Sequence, residues 1–197
     1  MHCRGAGAWY VPGDDRRPVA VGAGPWLLSA GDGHVLLDGQ PQAGTALELH
    51  PEAGLFQLGE RTYRGSLAVR ANAEGKVAAL NLVEPEQYLR SVVGSEMYSR
   101  WPLDALMAQA VAARTYMLHT FGSKGYLDGT DLAYKGVGAE SRAADLAVEL
   151  SRGIILTYDG RLFPAYFSST CGGHTASAEK VFGDEPLGAL TGGKCEW

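Results

Sequence analysis

The chain is short of cysteine, of long apolar runs and of positive charge, and each shortage narrows what it can be. Cysteine occurs only at Cys3, Cys171 and Cys195. Three thiols cannot all pair within one chain, and their spacing is not that of a dense disulfide scaffold. No stretch approaches the roughly 20 apolar residues of a membrane span, so no membrane span is expected. Lys and Arg together number 17 against 22 Asp and Glu, for a formal net charge of −5. That balance argues against nucleic acid as a partner and gives no attraction to anionic lipid. Residues 1–20 are polar and glycine-rich, with Asp14, Asp15, Arg16 and Arg17 adjacent, which is not the pattern of a signal peptide.

What is present fits an ordinary globular protein. Hydrophobic residues make up 46% and charged residues 20% of the 197 positions, enough for one domain or one domain with a small appendage. The 27 glycines are roughly twice the average frequency and suit turns between short strands. There are no repeats, low-complexity tracts or evident linkers. Val19–Val21, Trp26–Leu28, His34–Leu37 and Ala46–Leu49 read as strands bounded by Gly, Pro and Asp. Ser66–Arg70 and Lys76–Val83 flank Asn72-Ala73-Glu74-Gly75 and read as a hairpin. Pro85 opens a first helix that Gly94 is expected to close. Trp101-Pro102 opens a long helix expected to stop near Gly122, followed by a loop over 123–138. Glu140–Leu150 reads as a third helix, and Ile154–Tyr158 and Arg161–Ser168 as a hairpin around Asp159-Gly160. The fold class expected is α+β, with a β-rich N-terminal half, a central buried helix and a C-terminal β-hairpin.

Residues 88–118 are the most informative window. On the long helix Leu103, Leu106, Met107, Ala110, Val111, Met117, Leu118 and Phe121 form one apolar stripe, and Arg114 sits in its middle. Ala105, Ala108 and Ala112, on the opposite face, are small enough for packing on a second side. An unpaired buried guanidinium would be very costly, so Arg114 should have a defined partner. Asp104 and backbone carbonyls are the candidates that a purely structural role would use. Glu96 is expected just outside the end of the first helix, beside Met97, Tyr98 and Trp101.

This window resembles the stage II sporulation protein D / amidase-enhancer (LytB) family. The resemblance rests on Tyr88, Leu89, Val92, Val93, Glu96 and Met97, then Trp101, Pro102, Ala105, Leu106, Ala108–Ala113, Arg114, Thr115 and Tyr116. A second run, Phe167-Ser168-Ser169-Thr170-Cys171-Gly172-Gly173-His174-Thr175, follows in the family's order. Weaker similarity extends from about Arg64 to the C-terminus. The resemblance implies a division into a β-rich part over 1–60 and a catalytic domain over 61–197, the latter incomplete at its C-terminus. It also implies peptidoglycan lytic transglycosylase activity with the motif glutamate, Glu96, as catalytic acid/base.

Taken without the resemblance, a Ser-Glu pair after a helix end is a solvated cap. Glycan cleavage, however, needs a carboxyl that first gives and later takes a proton. Met97, Tyr98 and Trp101 are expected to supply an apolar setting that would raise its pKa. Arg114 and Gln109 are candidate substrate-binding residues, each with a structural alternative. A direct Arg114–Glu96 pair would lower the glutamate's pKa, so Arg114 should act elsewhere. Substitution of Glu84 or Glu86 should matter far less than substitution of Glu96. Ser169, Thr170 and His174 are expected to offer polar groups to a glycan cleft, with Gly172 and Gly173 allowing close approach; a tight turn is the plain alternative.

No cofactor is expected, and no metal. Some family members resemble zinc proteins with a Cys/His run in the loop after the long helix, but 123–138 contains neither residue. His119, Cys171, His174 and Cys195 are the remaining zinc candidates, and they show no tight ligand spacing. A Cys171/His174 nucleophile pair lacks any sign of an orienting third group. The expected partners are peptidoglycan glycan strands and a cell-wall amidase, and the expected location is extracytoplasmic. A family acting on cell wall must be exported, so a chain without a leader would be mature, trimmed or incomplete. Two other classes compete: a non-catalytic wall-binding module that enhances an amidase, and an ordinary glycoside hydrolase.

Overall fold

The computed structural model describes residues 1–13, 17–72 and 74–195. Among the described residues, eleven strands occupy the N-terminal part: β1 (His2–Arg4), β2 (Gly7–Tyr10), β3 (Ala20–Gly22), β4 (Trp26–Gly31), β5 (His34–Leu37), β6 (Gln40–Pro41), β7 (Ala46–Pro51), β8 (Leu55–Leu58), β9 (Arg61–Arg64), β10 (Ser66–Ala71) and β11 (Val77–Leu82). They form a six-stranded sheet, β6-β5-β4-β1-β8-β9, and a five-stranded sheet, β11-β10-β7-β2-β3. Alternate residues point inward, as strand geometry requires. Trp9, Trp26, Leu28, Val35, Leu37, Leu47, Leu49, Phe56, Leu67 and Val69 thereby share one core. Trp9 and Trp26 meet edge to face with ring centroids 5.9 Å apart. The core thus joins residues on both sides of position 60.

The expected hairpin forms between β10 and β11, in register from Ser66↔Leu82 to Ala71↔Val77. Its turn residue Ala73 lies outside the described residues. Asn72 Oδ1 nonetheless accepts the N–H groups of Glu74 and Lys76, tying the turn together. The remaining expected strands correspond to β3, β4, β5 and β7, while β1, β2, β6, β8 and β9 are additional.

Helices follow: α1 (Pro85–Glu96), α2 (Leu103–Lys124) and α3 (Arg142–Leu150). Their apolar faces share a second core of Tyr88, Leu89, Val92, Val93, Leu106, Ala110, Ala113, Met117, Leu132 and Val148. Pro85 stands in the first turn of α1 as expected. α2 passes through Gly122 and ends at Lys124, where Gly125 takes the left-handed cap at φ 76°. Of the expected second packing face on α2, Ala108 is exposed and Ala105 and Ala112 are half-buried, so α2 buries mainly one side. Ser141 caps α3 by accepting the N–H of Ala144.

Gly94 does not end α1. It lies inside the last turn, facing the short 3₁₀ turn Val137–Ala139, where an added Cβ would collide with the Ala139 carbonyl oxygen. The glycine is there for close approach rather than for termination. Gly94→Ala gains about 1 kcal/mol of helix propensity, but the collision is with backbone and should cost about 1–3 kcal/mol. A lower thermal midpoint by circular dichroism is therefore expected; an unchanged or higher one would show that the 137–139 turn gives way freely.

Polar contacts join the two halves. Arg64 of β9 donates to both oxygens of Glu140 at 2.8 and 2.7 Å. Asn81 of β11 bonds the carbonyls of Arg64 and Ser66 and accepts the Tyr134 hydroxyl at 2.6 Å. Beyond α3 a C-terminal hairpin is present but short. Asp159-Gly160 forms its turn, both residues at positive φ, closed by the single bridge Tyr158↔Arg161. A small pairing of β12 (His174–Thr175) with β13 (Gly193–Lys194) follows, with α4 (Ala178–Phe182) between them. The class is α+β, with a β-rich N-terminal half and a central helix.

Candidate functional site

Glu96 is the last residue of α1, not a residue beyond it, and its side chain is exposed. Its Oε1 accepts the backbone N–H of Ala133 at 3.2 Å. Two residues on, the N–H of Lys135 is accepted by Ser91 Oγ, fully buried one turn earlier on α1. The 126–135 segment is thus laid along α1 with Leu132 plugged into the helical core. It is also stitched internally. Asp131 accepts from Lys124 Nζ at 2.8 Å and from the Asp128 N–H at 2.9 Å, and Asp128 accepts from both N–H and Oγ1 of Thr130. Asp131 is therefore engaged, whereas Glu96 is in no salt bridge among the described residues.

The surroundings of Glu96 differ from the expected apolar pocket. Met97 is half-buried against the core, but Tyr98 is 66% and Trp101 47% exposed, with ring centroids 6.1 Å apart. Arg100 lies over the Tyr98 ring at 5.3 Å. The aromatics make an open platform beside the carboxyl instead of a wall around it. Tyr88, earlier on α1, packs against Tyr134 with ring centroids 4.6 Å apart and the planes tilted by 33°. Burial, and secondarily the negative charges of Asp131 and other neighbours, pushes the Tyr88 hydroxyl well above the usual phenol range.

Arg114 is 2% exposed and has all five of its N–H donors occupied. Nε and Nη2 form a two-pronged pair with Glu86 at 2.9 and 2.7 Å. Nη2 also reaches the Val148 carbonyl, and Nη1 reaches the carbonyls of Ala110 and Ile154. The buried charge does have the defined partner the sequence demands. That partner is Glu86, in the first turn of α1, and not Asp104. Glu86 therefore cannot be grouped with Glu84 as a bystander. Next in the motif, Thr115 Oγ1 donates to the Val111 carbonyl and accepts the N–H of Leu156 at 2.9 Å. Arg114 and Thr115 together hold segment 154–156 by its main chain. This explains why Ile154–Tyr158 is not a ladder strand: its backbone groups bond to α2 side chains.

Gln109 is half-buried on α2, and its Nε2 is buried without a partner, as is Ser95 Oγ. Ser169, Thr170 and His174 are exposed on the segment leading into β12, and none of them is hydrogen-bonded to Glu96. Gly172 and Gly173 occupy φ of 59° and 93°, with nothing near the place a Cβ would take. Their need is a left-handed turn, closed by the His174 N–H to the Cys171 carbonyl at 3.1 Å, rather than close approach. Among the described residues no three or more His, Cys, Asp or Glu gather as metal ligands.

Two clefts lie apart from Glu96. One of about 1140 Å³ runs between the sandwich and α2, past Tyr63, Leu80, Asn81, Phe121 and Tyr126. The other, of about 650 Å³, is lined by His119, Tyr158, Arg161, Tyr166, Asp184 and Glu185. There Tyr166 donates to Asp184 at 2.8 Å and stacks on Phe182 at 4.1 Å. Sequence reading singled out none of Ala133, Tyr134, Tyr166 and Asp184, and placed Glu86 only among the residues of small effect. Only Tyr88 carried a signal, as a motif residue.

Comparison with known proteins gives the same family as the motifs. Residues 73–158, from the β10–β11 turn through α3 to the Tyr158 bridge, match the family described as Stage II sporulation protein. An uncharacterised protein of Brachyspira hyodysenteriae is 38% identical over 135 residues, covering 65% of this chain and 36% of that protein. The amidase enhancer of Bacillus subtilis is 37% identical over 94 residues, covering 48% of this chain and 13% of the relative. Stage II sporulation protein D of Bacillus subtilis is 36% identical over 115 residues, covering 48% and 34%. The chain thus spans well under half the length of each of these relatives. No solved structure gives a significant match. Over residues 73–158, this chain is therefore similar to the stage II sporulation protein D family.

Proposed function

We propose that this protein acts on the bacterial cell wall outside the cytoplasm, cleaving peptidoglycan glycan strands as a lytic transglycosylase through Glu96. The observation that supports this most directly is the display of Glu96. A motif carboxyl stands at the exposed end of a well-anchored helix, aimed by the Ala133 N–H and flanked by the open rings of Tyr98 and Trp101. Exposed aromatic faces stack on the apolar faces of sugar rings, and Arg100 beside them offers donors to sugar oxygens. The protonated Glu96 carboxyl would give its proton to the glycosidic oxygen as the bond to C1 breaks. The resulting carboxylate would take the proton of the muramic C6 hydroxyl as that oxygen closes on C1. One carboxyl serves both steps, and no water enters the product. Arg114 contributes by holding α1, α2 and segment 154–156 in register, and Ser169, Thr170 and His174 remain proposed contacts for more distant sugars.

The experiment is mass spectrometry of purified glycan strands digested with the protein. Soluble products lighter than hydrolysis products by one water, with no reducing end, are expected, and strands stripped of stem peptides are the proposed preferred substrate. Products carrying solvent oxygen would make the protein an ordinary glycoside hydrolase. The similarity to the amidase enhancer of Bacillus subtilis favours one other reading, a wall-binding module that stimulates an amidase. Absence of any released sugar, together with faster cleavage by an added amidase, would establish that reading instead. Among the described residues no helix is long and apolar enough to cross a membrane.

A further inference from the structure

The three cysteines are not equivalent. Cys3 is fully buried in the sandwich core, and burial pushes its thiol up to about 11. Cys171 and Cys195 are brought together by a different route. The turn Cys171-Gly172-Gly173-His174 folds back through its two left-handed glycines, and β12 then pairs with β13 in the register His174↔Lys194 and Thr175↔Gly193. The same ladder continues with the Cys195 N–H donating to the Gly173 carbonyl at 3.0 Å. Gly173 N–H lies 3.4 Å from Cys171 Sγ, which faces the strand that carries Cys195. Two half-buried thiols, 24 positions apart in sequence, are thus carried by a tight turn and the strand that pairs with it.

We propose that Cys171 and Cys195 form a disulfide that locks the Ser169–Thr175 segment onto the C-terminal strand. Persistence of that bond rests on the extracytoplasmic location proposed above, because reducing compartments keep cysteines as free thiols. The neighbouring Cys195 thiol and the Gly173 N–H both favour the Cys171 thiolate, while Cys195 is held more firmly protonated. Cys171 is therefore the attacking sulfur. Its thiolate attacks a disulfide-bearing oxidant, forming a mixed disulfide and expelling one oxidant thiolate. Cys195, losing its proton, attacks the Cys171 sulfur and expels the second. Two electrons pass to the oxidant's disulfide, and the two protons end on its thiols. The lock would fix Ser169, Thr170 and His174, giving the glycan-facing turn one conformation in the oxidised protein and a looser one in the reduced protein.

The test uses the purified full chain equilibrated with oxidised and reduced glutathione, quenched by alkylation and analysed by intact mass and peptide mapping. Cys171 and Cys195 should lose alkylation together and appear in one linked peptide, while Cys3 alkylates only after denaturation. Tryptic cleavage at Lys180, inside the closed loop, should slow on the order of tenfold on oxidation, because the link removes open conformations. Cys171→Ser and Cys195→Ser should each abolish that slowing. Two freely alkylated thiols in excess oxidised glutathione, glutathione adducts alone, or a link to Cys3 would each overturn the proposal. A protein that forms the link but releases no anhydro-sugar would refute the enzymatic reading alone, and an active protein without the link would refute this inference alone.

Discussion

Glu96→Gln should release almost no 1,6-anhydro product while still sedimenting with glycan strands and melting near the wild-type temperature. The substitution keeps the acceptor that bonds the Ala133 N–H but can neither give nor take a proton. Removing general acid/base help typically costs on the order of a hundred- to ten-thousand-fold in rate, and here one group is asked to serve twice. Stability should hardly change, because the side chain is exposed and, among the described residues, unpaired with a cation. Cleavage at the wild-type rate would end this mechanism. Loss of binding together with loss of cleavage would instead make Glu96 a contact residue.

Arg114→Met should have the largest effect on stability. The methionine occupies similar space but leaves the Glu86 carboxylate without its partner and strips donors from three carbonyls. Breaking a buried pair from one side typically costs about 3–5 kcal/mol. Arg114→Lys restores a charge but not the fork, so it should recover only part of that loss. Combining Arg114→Met with Glu86→Leu should be less harmful than Arg114→Met alone, since no charge is then stranded. Urea unfolding reads all three. An Arg114→Met midpoint matching wild type would mean that Glu86 finds water and the clamp contributes nothing. Any loss of activity in these variants has to be judged against folded fraction, because Arg114 has no donor left over for a ligand.

The sequence carried the existence of these features better than their partners. A lone guanidinium on an apolar stripe declares that it must be paired, since burial is predictable from periodicity. That the partner is Glu86, 28 positions earlier, depends on how α1 crosses α2, and no local pattern encodes a crossing. Gly94 shows the same limit from the other side. Read locally, glycine near a helix end is a stop, but here the neighbour that requires it is Ala139, 45 positions away. Apolar residues 154–158 beside Asp-Gly correctly gave a turn and suggested two long strands. Instead, hydrogen-bonding groups of Arg114 and Thr115 took the place of a strand partner. Strands such as Arg61–Arg64 escaped notice because their flanking arginines hide the apolar alternation that marks a half-buried strand. Glu96 was legible only as part of a motif, and its link to Ala133 only from the fold.

The distribution of Arg114's acceptors has a consequence for how the helical half opens. They come from Glu86, Ala110, Val148 and Ile154, so no one of these segments can swing away without exposing an unmatched charge to a dry interior. Local fluctuation is thereby tied to loss of the whole unit, and amide protons in α1, α2 and the end of α3 should belong to one cooperative exchange group. Helix ends ordinarily fray. The last turn of α1 has Gly94 seated on Ala139 and Glu96 bonded to Ala133, while its first turn is fastened through Glu86. A surface carboxyl is thus mounted on a helix fastened at both ends, which would let the proposed open site hold a fixed geometry.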